Sequence, residues 1–230
     1  MWARNVMFWA IMGGKARACD LALVLAVDVS GSVDRDEYRI QMDGLAAGLR
    51  DGIVAEALVD AQAMVTLVQW TGSSRQQQTL PWARMSNFAA VDSFAAQIAQ
   101  DARVWRNYST AIGEALTVGR TLLADMAHCK RRVIDLSGDG VSNEGTEPPR
   151  VHSALNADGI TANALAIETD ETDLTAYFFE NVITGDGAFV ETATGFEDYP
   201  EAIRRKLQRE TRKATAQNTA PMRPIPTSFE

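Results

Sequence analysis

The sequence predicts one α/β domain over residues 19–210. It is expected as a doubly wound, mostly parallel six-stranded sheet with helices on both faces. Three observations carry that expectation. Runs of strand length recur along the chain, and the first, at 21–27, is a continuous apolar run ending in Asp28. Such a run is what a strand buried on both faces looks like. Between these runs lie segments with apolar residues at helical spacing. Gly, Pro, Asp and Ser fall at the breaks, where elements start and stop. Strands alternating with helices make a parallel sheet with crossover helices.

Taken in order, the strand at 21–27 gives way to an oxygen-rich loop and then a helix. Asp34 followed by Glu37 is the pattern of a capping box, and Tyr38, Met42, Leu45 and Leu49 follow at helical spacing. Gly52 is expected to end that helix. A second strand is expected at 64–70. A polar edge strand at 75–80 follows after four residues and is expected to stop at Pro81. So short a connection allows only an antiparallel hairpin. Ser86 is placed as the cap of a helix carrying Val91, Phe94 and Ile98. The loop 104–110 leads into a helix with Ile112, Leu116, Gly119, Leu123 and Met126 on one face. A strand at 131–137 ends in Gly138-Asp139-Gly140. Pro148 and Pro149 start the next helix and Gly159 closes it. A strand at 160–168, a helix at 173–182, a last strand at 187–192 and a helix from Pro200 complete the fold.

Residues 211–230 are Thr, Ala, Gln, Pro and charge without periodicity, and are read as a disordered tail. At the other end, one Arg precedes a short apolar stretch at 6–12, and Ala16-Arg17-Ala18 stands before Cys19. Residues 1–18 are read as a signal peptide, which predicts a protein exported to the periplasm or beyond. The stretch is too short to span a membrane. A lipoprotein would need Leu or a similar residue where Ala16 stands.

Composition narrows the function. The 230 residues are 46% hydrophobic and 23% charged, the balance of an ordinary globular protein. Residues 201–230 hold seven Lys/Arg against three Asp/Glu, so with a formal net charge of −8 the rest of the chain stands at −12. An acidic body argues against a nucleic-acid face and is compatible with cation binding. Two cysteines and two histidines without a Cys-x-x-Cys pair argue against a zinc site.

The chemistry gathers at the end of the first strand. Asp28, Ser30 and Ser32 fall at alternate positions. In an extended segment alternate residues point the same way. Three oxygens aimed at one point are half the shell of a hard divalent cation such as Mg²⁺, which takes about six oxygens near ~2.1 Å. The bland account is a strand followed by an ordinary helix cap. In a sheet of strand order 3-2-1-4-5-6 the first and fourth strands are neighbours, and their carboxyl ends carry Asp28 and Asp139. Ligands bind doubly wound sheets at that crevice.

Asp28-Val29-Ser30-Gly31-Ser32, then Thr110, then Asp139-Gly140 resembles the metal-ion-dependent adhesion site of von Willebrand factor type A (vWA) domains. The resemblance covers about 19–212 and is nearest to small bacterial exported vWA-like proteins. It implies that Ser30, Ser32 and Thr110 touch the metal directly or nearly so, and that Asp28 and Asp139 act directly or through water. Ser109 is the alternative to Thr110. The implied ion is Mg²⁺ or Mn²⁺ ahead of Ca²⁺, and the implied partner is a protein offering an Asp or Glu carboxylate. That describes a binding module and not an enzyme. Cys19 stands nine residues before Asp28 and Cys129 ten before Asp139. With the two aspartates side by side, the cysteines would meet at the opposite edge as a disulfide.

Other readings explain less. Asp28 with Gly138-Asp139-Gly140 is also similar to haloacid-dehalogenase-type phosphatases, but Ser30 stands where their general acid belongs, and a serine protonates a leaving group poorly. There is no GxxxxGK[ST] and no GxGxxG after the first strand. His128 and His152 are not placed to serve a hydrolytic serine. Trp70, Trp82 and Trp105 are read as packing ahead of an exposed partner patch, with Trp105, in the loop beside Thr110, the exception to watch, and the basic stretch 204–213 is read as a solvated helix face. A vWA fold without metal, acting as a structural subunit, is the third reading.

Overall fold

The computed structural model describes residues 19–169 and 173–216. Its strands are β1 (Leu21–Asp28), β2 (Met64–Trp70), β3 (Gln76–Arg84), β4 (Arg131–Gly138), β5 (Ile160–Ile167) and β6 (Val190–Ala193). Its helices are α1 (Arg35–Arg50), α2 (Gly52–Asp60), α3 (Phe88–Gln100), α4 (Ile112–Ala124), α5 (Pro149–Ala157), α6 (Leu174–Asn181) and α7 (Tyr199–Ala216). The sheet order is β3-β2-β1-β4-β5-β6. Every pairing of these strands is parallel except β2 with β3. This is the architecture that the sequence predicts.

All eight residues of β1 are buried because it lies mid-sheet with a core on each face. Leu21, Leu23, Leu25 and Val27 pack with α1, α2, α3 and α7. Ala22, Val24 and Ala26 pack with α4, α5 and α6. The period-2 alternation of a strand divides one apolar run between two cores. Truncating Leu23 or Leu25 to Ala would cost about 2–5 kcal/mol.

The expected capping box starts α1. Asp34 Oδ1 accepts the backbone N–H groups of Asp36 and Glu37 at 2.7 and 2.8 Å, and Glu37 Oε2 accepts that of Asp34 at 2.6 Å. Asp51 then leaves the helix and caps α2, accepting Ile53 N and Val54 N at 3.1 and 3.3 Å. The sequence reading did not foresee α2, which starts where Gly52 was expected only to end α1. Asn87, not Ser86, caps α3, accepting Ala90 N at 2.9 Å.

Pro81 does not stop β3. The strand runs through it to Arg84, and the register with β2 shifts between Val65 and Leu67. β3 is an edge strand, where a residue without an N–H can leave its empty donor position on the open side. The tail does not begin at 211 either, since α7 continues to Ala216. Glu210 and Thr211 are fully buried there, and Thr211 Oγ1 donates to the Leu207 carbonyl at 2.9 Å. Residues 1–18, read as a leader, and 217–230 lie outside the described residues. Among the described residues no helix is long and apolar enough to cross a membrane.

Cys19 and Cys129 form a disulfide with Cα atoms 4.6 Å apart. The β1–β4 register runs from Leu21↔Arg131 to Val27↔Ser137. Continuing it pairs Cys19 with Cys129, and Asp28 with Gly138. Asp139 therefore lies one residue beyond the position opposite Asp28. Cys19, Cys129 and His128 bring their ligand atoms within 4.8 Å of one another, but both sulfurs are spent in the disulfide.

A second set of charges lies under α7. Lys206 is fully buried. Its ammonium meets the Asp135 carboxylate of β4, and Glu210 Oε1 stands 3.3 Å away. Asn163 Nδ2 donates to the same Glu210 oxygen at 2.8 Å, and Arg131 Nη1 donates to the Glu210 carbonyl at 3.1 Å. Burial pushes the Asp135 carboxyl up to about 7, against the pull of Lys206 and with the help of Glu210.

Candidate metal centre

The predicted residues come together at the carboxyl ends of β1 and β4. Asp28 is fully buried and closes β1. Its Oδ1 accepts the Ser30 N–H at 2.7 Å, which folds the 28–32 loop over the strand end. Ser30 Oγ and Ser32 Oγ are 3.2 Å apart, and Ser32 Oγ donates to Asp139 Oδ1 at 2.8 Å. Four of the five residues thus form one hydrogen-bonded chain, Asp28–Ser30–Ser32–Asp139, whose first link is the Ser30 N–H.

Thr110 joins from the segment that leads into α4. It is buried, and its N–H donates to Asn143 Oδ1 at 2.9 Å. Its carbonyl accepts the N–H groups of Asn143 and Glu144 at 2.9 and 3.3 Å. A Cβ added to Gly140 would stand 3.9 Å from Thr110 Oγ1, so the threonine hydroxyl borders the Asp139-Gly140 turn. Ser109 is exposed, and its side chain bonds to Glu144. Of the two candidates, Thr110 is the one at the oxygen cluster.

Two acids dominate the electrostatics of this cluster. Burial first, and repulsion from Asp139 second, push the Asp28 carboxyl up to about 8. Asp28 Oδ2 is buried without a hydrogen-bond partner. Two buried carboxylates that repel each other are costly to ionise together. Asp28, Asp139, Ser30, Ser32 and Thr110 offer only hard oxygen donors, which fits Mg²⁺ or Mn²⁺. These residues therefore fit a divalent ion by charge and by donor type.

The sequence reading missed the residues that hold this loop. Arg103 Nη2 donates to the carbonyls of Val29 and Ser30 at 3.0 and 2.8 Å, and Nη1 to that of Asp34 at 3.3 Å. One guanidinium so braces three carbonyls of the segment that follows β1. Gly31 N donates to the Tyr108 carbonyl at 2.8 Å. A Cβ on Gly31 would come within 3.3 Å of that oxygen, so a larger residue there would crowd the two loops. Gln69 of β2 donates to Asp101 Oδ2 and the Ala102 carbonyl, each at 2.9 Å, and accepts Val104 N at 2.9 Å. Gln41 donates to the Asp28 carbonyl at 3.4 Å. Arg103 is 73 positions from Ser30 and carries no local signal. A buried Gln inside an apolar strand such as 64–70 was the one cue available.

Residues 18–215 match a family described as "Protein of unknown function (DUF1194)". No curated protein matches the chain. Among solved structures, proximal thread matrix protein 1 of the mussel byssus, with a zinc-occupied MIDAS motif, is 16% identical with a TM-score of 0.64. The match covers 84% of this chain and 46% of that one. A von Willebrand factor type A protein from Catenulispora acidiphila is 19% identical with a TM-score of 0.55, over 86% and 43% of the two chains. The pilus adhesin SpaC of Lactobacillus rhamnosus GG is 13% identical with a TM-score of 0.60, over 87% and 30%. The present chain spans less than half of each of these structures. They show that its fold is that of a vWA domain.

Proposed function

The chain belongs to the DUF1194 family, and we propose that it is a metal-dependent protein-binding module of the vWA fold and not an enzyme. Asp28, Ser30, Ser32, Thr110 and Asp139 hold a divalent cation, Mg²⁺ or Mn²⁺. The bound ion supplies a Lewis-acidic position for one carboxylate oxygen of a partner protein. Three of the five ligands are neutral hydroxyls, so the protein leaves part of the ion's positive charge for that partner. Asp28 and Asp139 supply the negative charge that retains the ion, and Arg103 keeps the 28–34 loop in place.

The observation that carries this reading is the hydrogen-bonded chain from Asp28 through Ser30 and Ser32 to Asp139, which sets two buried acids and two hydroxyls at one strand end. The zinc of the byssus protein and the adhesive role named for SpaC belong to those proteins. They are in keeping with a cation site and with protein capture here. Export of the chain accords with its disulfide, since such bonds persist in oxidising compartments. The phosphatase reading gains nothing, because Ser30 bonds to Ser32 where an acid would be needed to protonate a leaving group.

Calorimetry tests the proposal, with the wild type beside Asp139→Ala and Ser30→Ala. Binding of Mg²⁺ or Mn²⁺ that both substitutions weaken by tenfold or more supports it. A metal-dependent pull-down of a partner, lost when the partner's acid is changed to Asn or Gln, completes it. Wild-type protein that binds no divalent ion, alone or with partner, overturns it in favour of a metal-free scaffold.

A further inference from the structure

A groove of about 750 Å³ opens beside the metal centre and shares Gly31 with it. Val33, Tyr38 and Met42 contribute to its lining. Its walls carry four guanidiniums, from Arg35, Arg39, Arg103 and Arg106, and three carboxylates, from Asp34, Asp43 and Asp101.

The carboxylates are already engaged. Asp34 caps α1, Asp43 lies 3.4 Å from Arg39, and Asp101 accepts Gln69 Nε2 at 2.9 Å. The guanidiniums are not all matched. Arg103 gives Nη1 and Nη2 to three neutral carbonyls, and Asp28 and Asp34 attract its charge without ion-pair contact. Arg35 and Arg106 are exposed, and among the described residues neither stands within ion-pair distance of a carboxylate. Burial, and after it repulsion from Arg106, hold the Arg103 guanidinium below its usual range. On a chain of formal charge −8, with 30 acids available, Arg35 and Arg106 stand without an ion pair among the described residues.

The groove is also in reach of the metal centre. A Cβ on Gly31 would stand 3.4 Å from Asn107 Cα, so Arg106 is one residue from a direct contact with the 28–32 loop. An extended peptide advances about 3.3–3.6 Å per residue. Residues a few positions from an acid anchored at the metal therefore reach the groove. Opposite charge on such a flank would add specificity and speed to encounter.

We propose that this groove receives the acidic flank of the same partner segment, so that the partner motif is one metal-bound Asp or Glu with at least one more acid nearby. This inference rests on metal-dependent capture as the function of the adjoining site. It adds the class of sequence that the site selects.

The test uses two fluorescein-labelled peptides with one central Asp, flanked either by Glu-Glu or by Gln-Gln, and the variant Arg35→Gln/Arg106→Gln. Both replaced side chains are exposed and lie outside the metal ligands. With Mn²⁺ present, anisotropy is expected to show the Glu-flanked peptide binding at least fivefold tighter to the wild type. The variant is expected to lose most of that preference, with calorimetric Mn²⁺ affinity unchanged. In EDTA, a hexaglutamate peptide is expected to shift the backbone amide resonances of Tyr38, Ala102 and Arg106 in the wild type and not in the variant. If neither arm shows a preference for acid that depends on these arginines, the groove proposal falls while metal binding stands. If the EDTA arm persists but metal adds nothing to any peptide, the groove stands and the capture reading falls. Shifts produced by phosphatidylserine vesicles and not by peptide would overturn it in favour of a membrane surface.

Discussion

Two pairs of buried acids in this molecule, one member of each on β4 or just past its end, have different surroundings. Asp135 and Glu210 lie under α7 with the fully buried Lys206 between them. Asp28 and Asp139 lie at the strand ends, hydrogen-bonded to serines and to a neighbour's backbone. Arg103, whose charge draws the Asp28 carboxyl down, gives its Nη2 donors to main-chain carbonyls. Each pair faces the same difficulty, since ionised carboxylates in a poorly solvated place need compensating charge. One pair has its cation built into the chain. The other meets hydroxyl and backbone donors, and on the proposed reading a bound divalent ion completes it. On that reading the acids beside Lys206 belong to the architecture, and the acids at the strand ends serve a ligand.

The largest expected effect comes from removing the built-in cation. Lys206→Met leaves Asp135 and Glu210 buried together, and should cost about 3–5 kcal/mol in denaturant unfolding. Asp139→Asn measured in EDTA should behave oppositely, costing nothing or gaining up to about 1 kcal/mol, because it relieves repulsion on Asp28. Equal losses in the two variants would break the comparison.

Metal addition should separate the pairs next. At a concentration of Mn²⁺ a hundred times its Kd, the wild type should gain about 2.7 kcal/mol of stability by linkage. Asp139→Ala should gain little. Asp135→Asn should gain as much as the wild type, since its site is elsewhere. The measurement is the urea midpoint with and without the ion.

Titration gives a smaller effect. The Asp135 carboxyl is raised by folding to about 7 from the ordinary carboxylate range. A raised pKa means that the folded state holds the proton more tightly, so this contribution is full below pH ~4 and is lost as pH rises through ~7. Unfolding measured at pH 5 and pH 8 should show a decline, and Asp135→Asn should flatten it by an amount on the order of 1 kcal/mol. The smallest effect belongs to an exposed pair. Arg50 and Asp92 meet at 2.6 Å with most of the Asp side chain in water, and Asp92→Asn should change stability by under about 1 kcal/mol.

Much of this was legible in the sequence because it depends on local pattern. The apolar run of β1, the Asp34–Glu37 box and the turn at Gly138-Asp139-Gly140 each announce themselves within a few residues. Strand order came with the doubly wound class, and the meeting of the two acids followed from it. What escaped lies in long-range or marginal choices. α2 is a single short helix capped by an Asp that also ends α1, which spacing alone does not separate. Pro81 was read as a stop because its tolerance depends on which side of β3 is open. Lys206, in the basic stretch 204–213, looked like part of a solvated face. Only the packing of α7 on β4 makes it the counter-ion of Asp135. Arg103 was invisible for a similar reason, since its acceptors are backbone carbonyls that any sequence possesses.

The Cys19–Cys129 bond closes a ring with a sequence separation of 110, and that ring has a mechanical meaning. If the two ends of the domain are pulled apart, tension enters at Cys19, crosses the sulfur bridge to Cys129 and leaves through β4 toward α7. The segment between the cysteines, which holds Asp28, Ser30, Ser32 and Thr110, is bypassed. About 400 Å of chain, at roughly 3.6 Å per residue, stays out of reach of stretching while the bridge is intact. Asp139 alone of the five sits on the loaded path. A tether built from this domain would yield first on the side of Asp139, and most of its grip would remain folded within the loop.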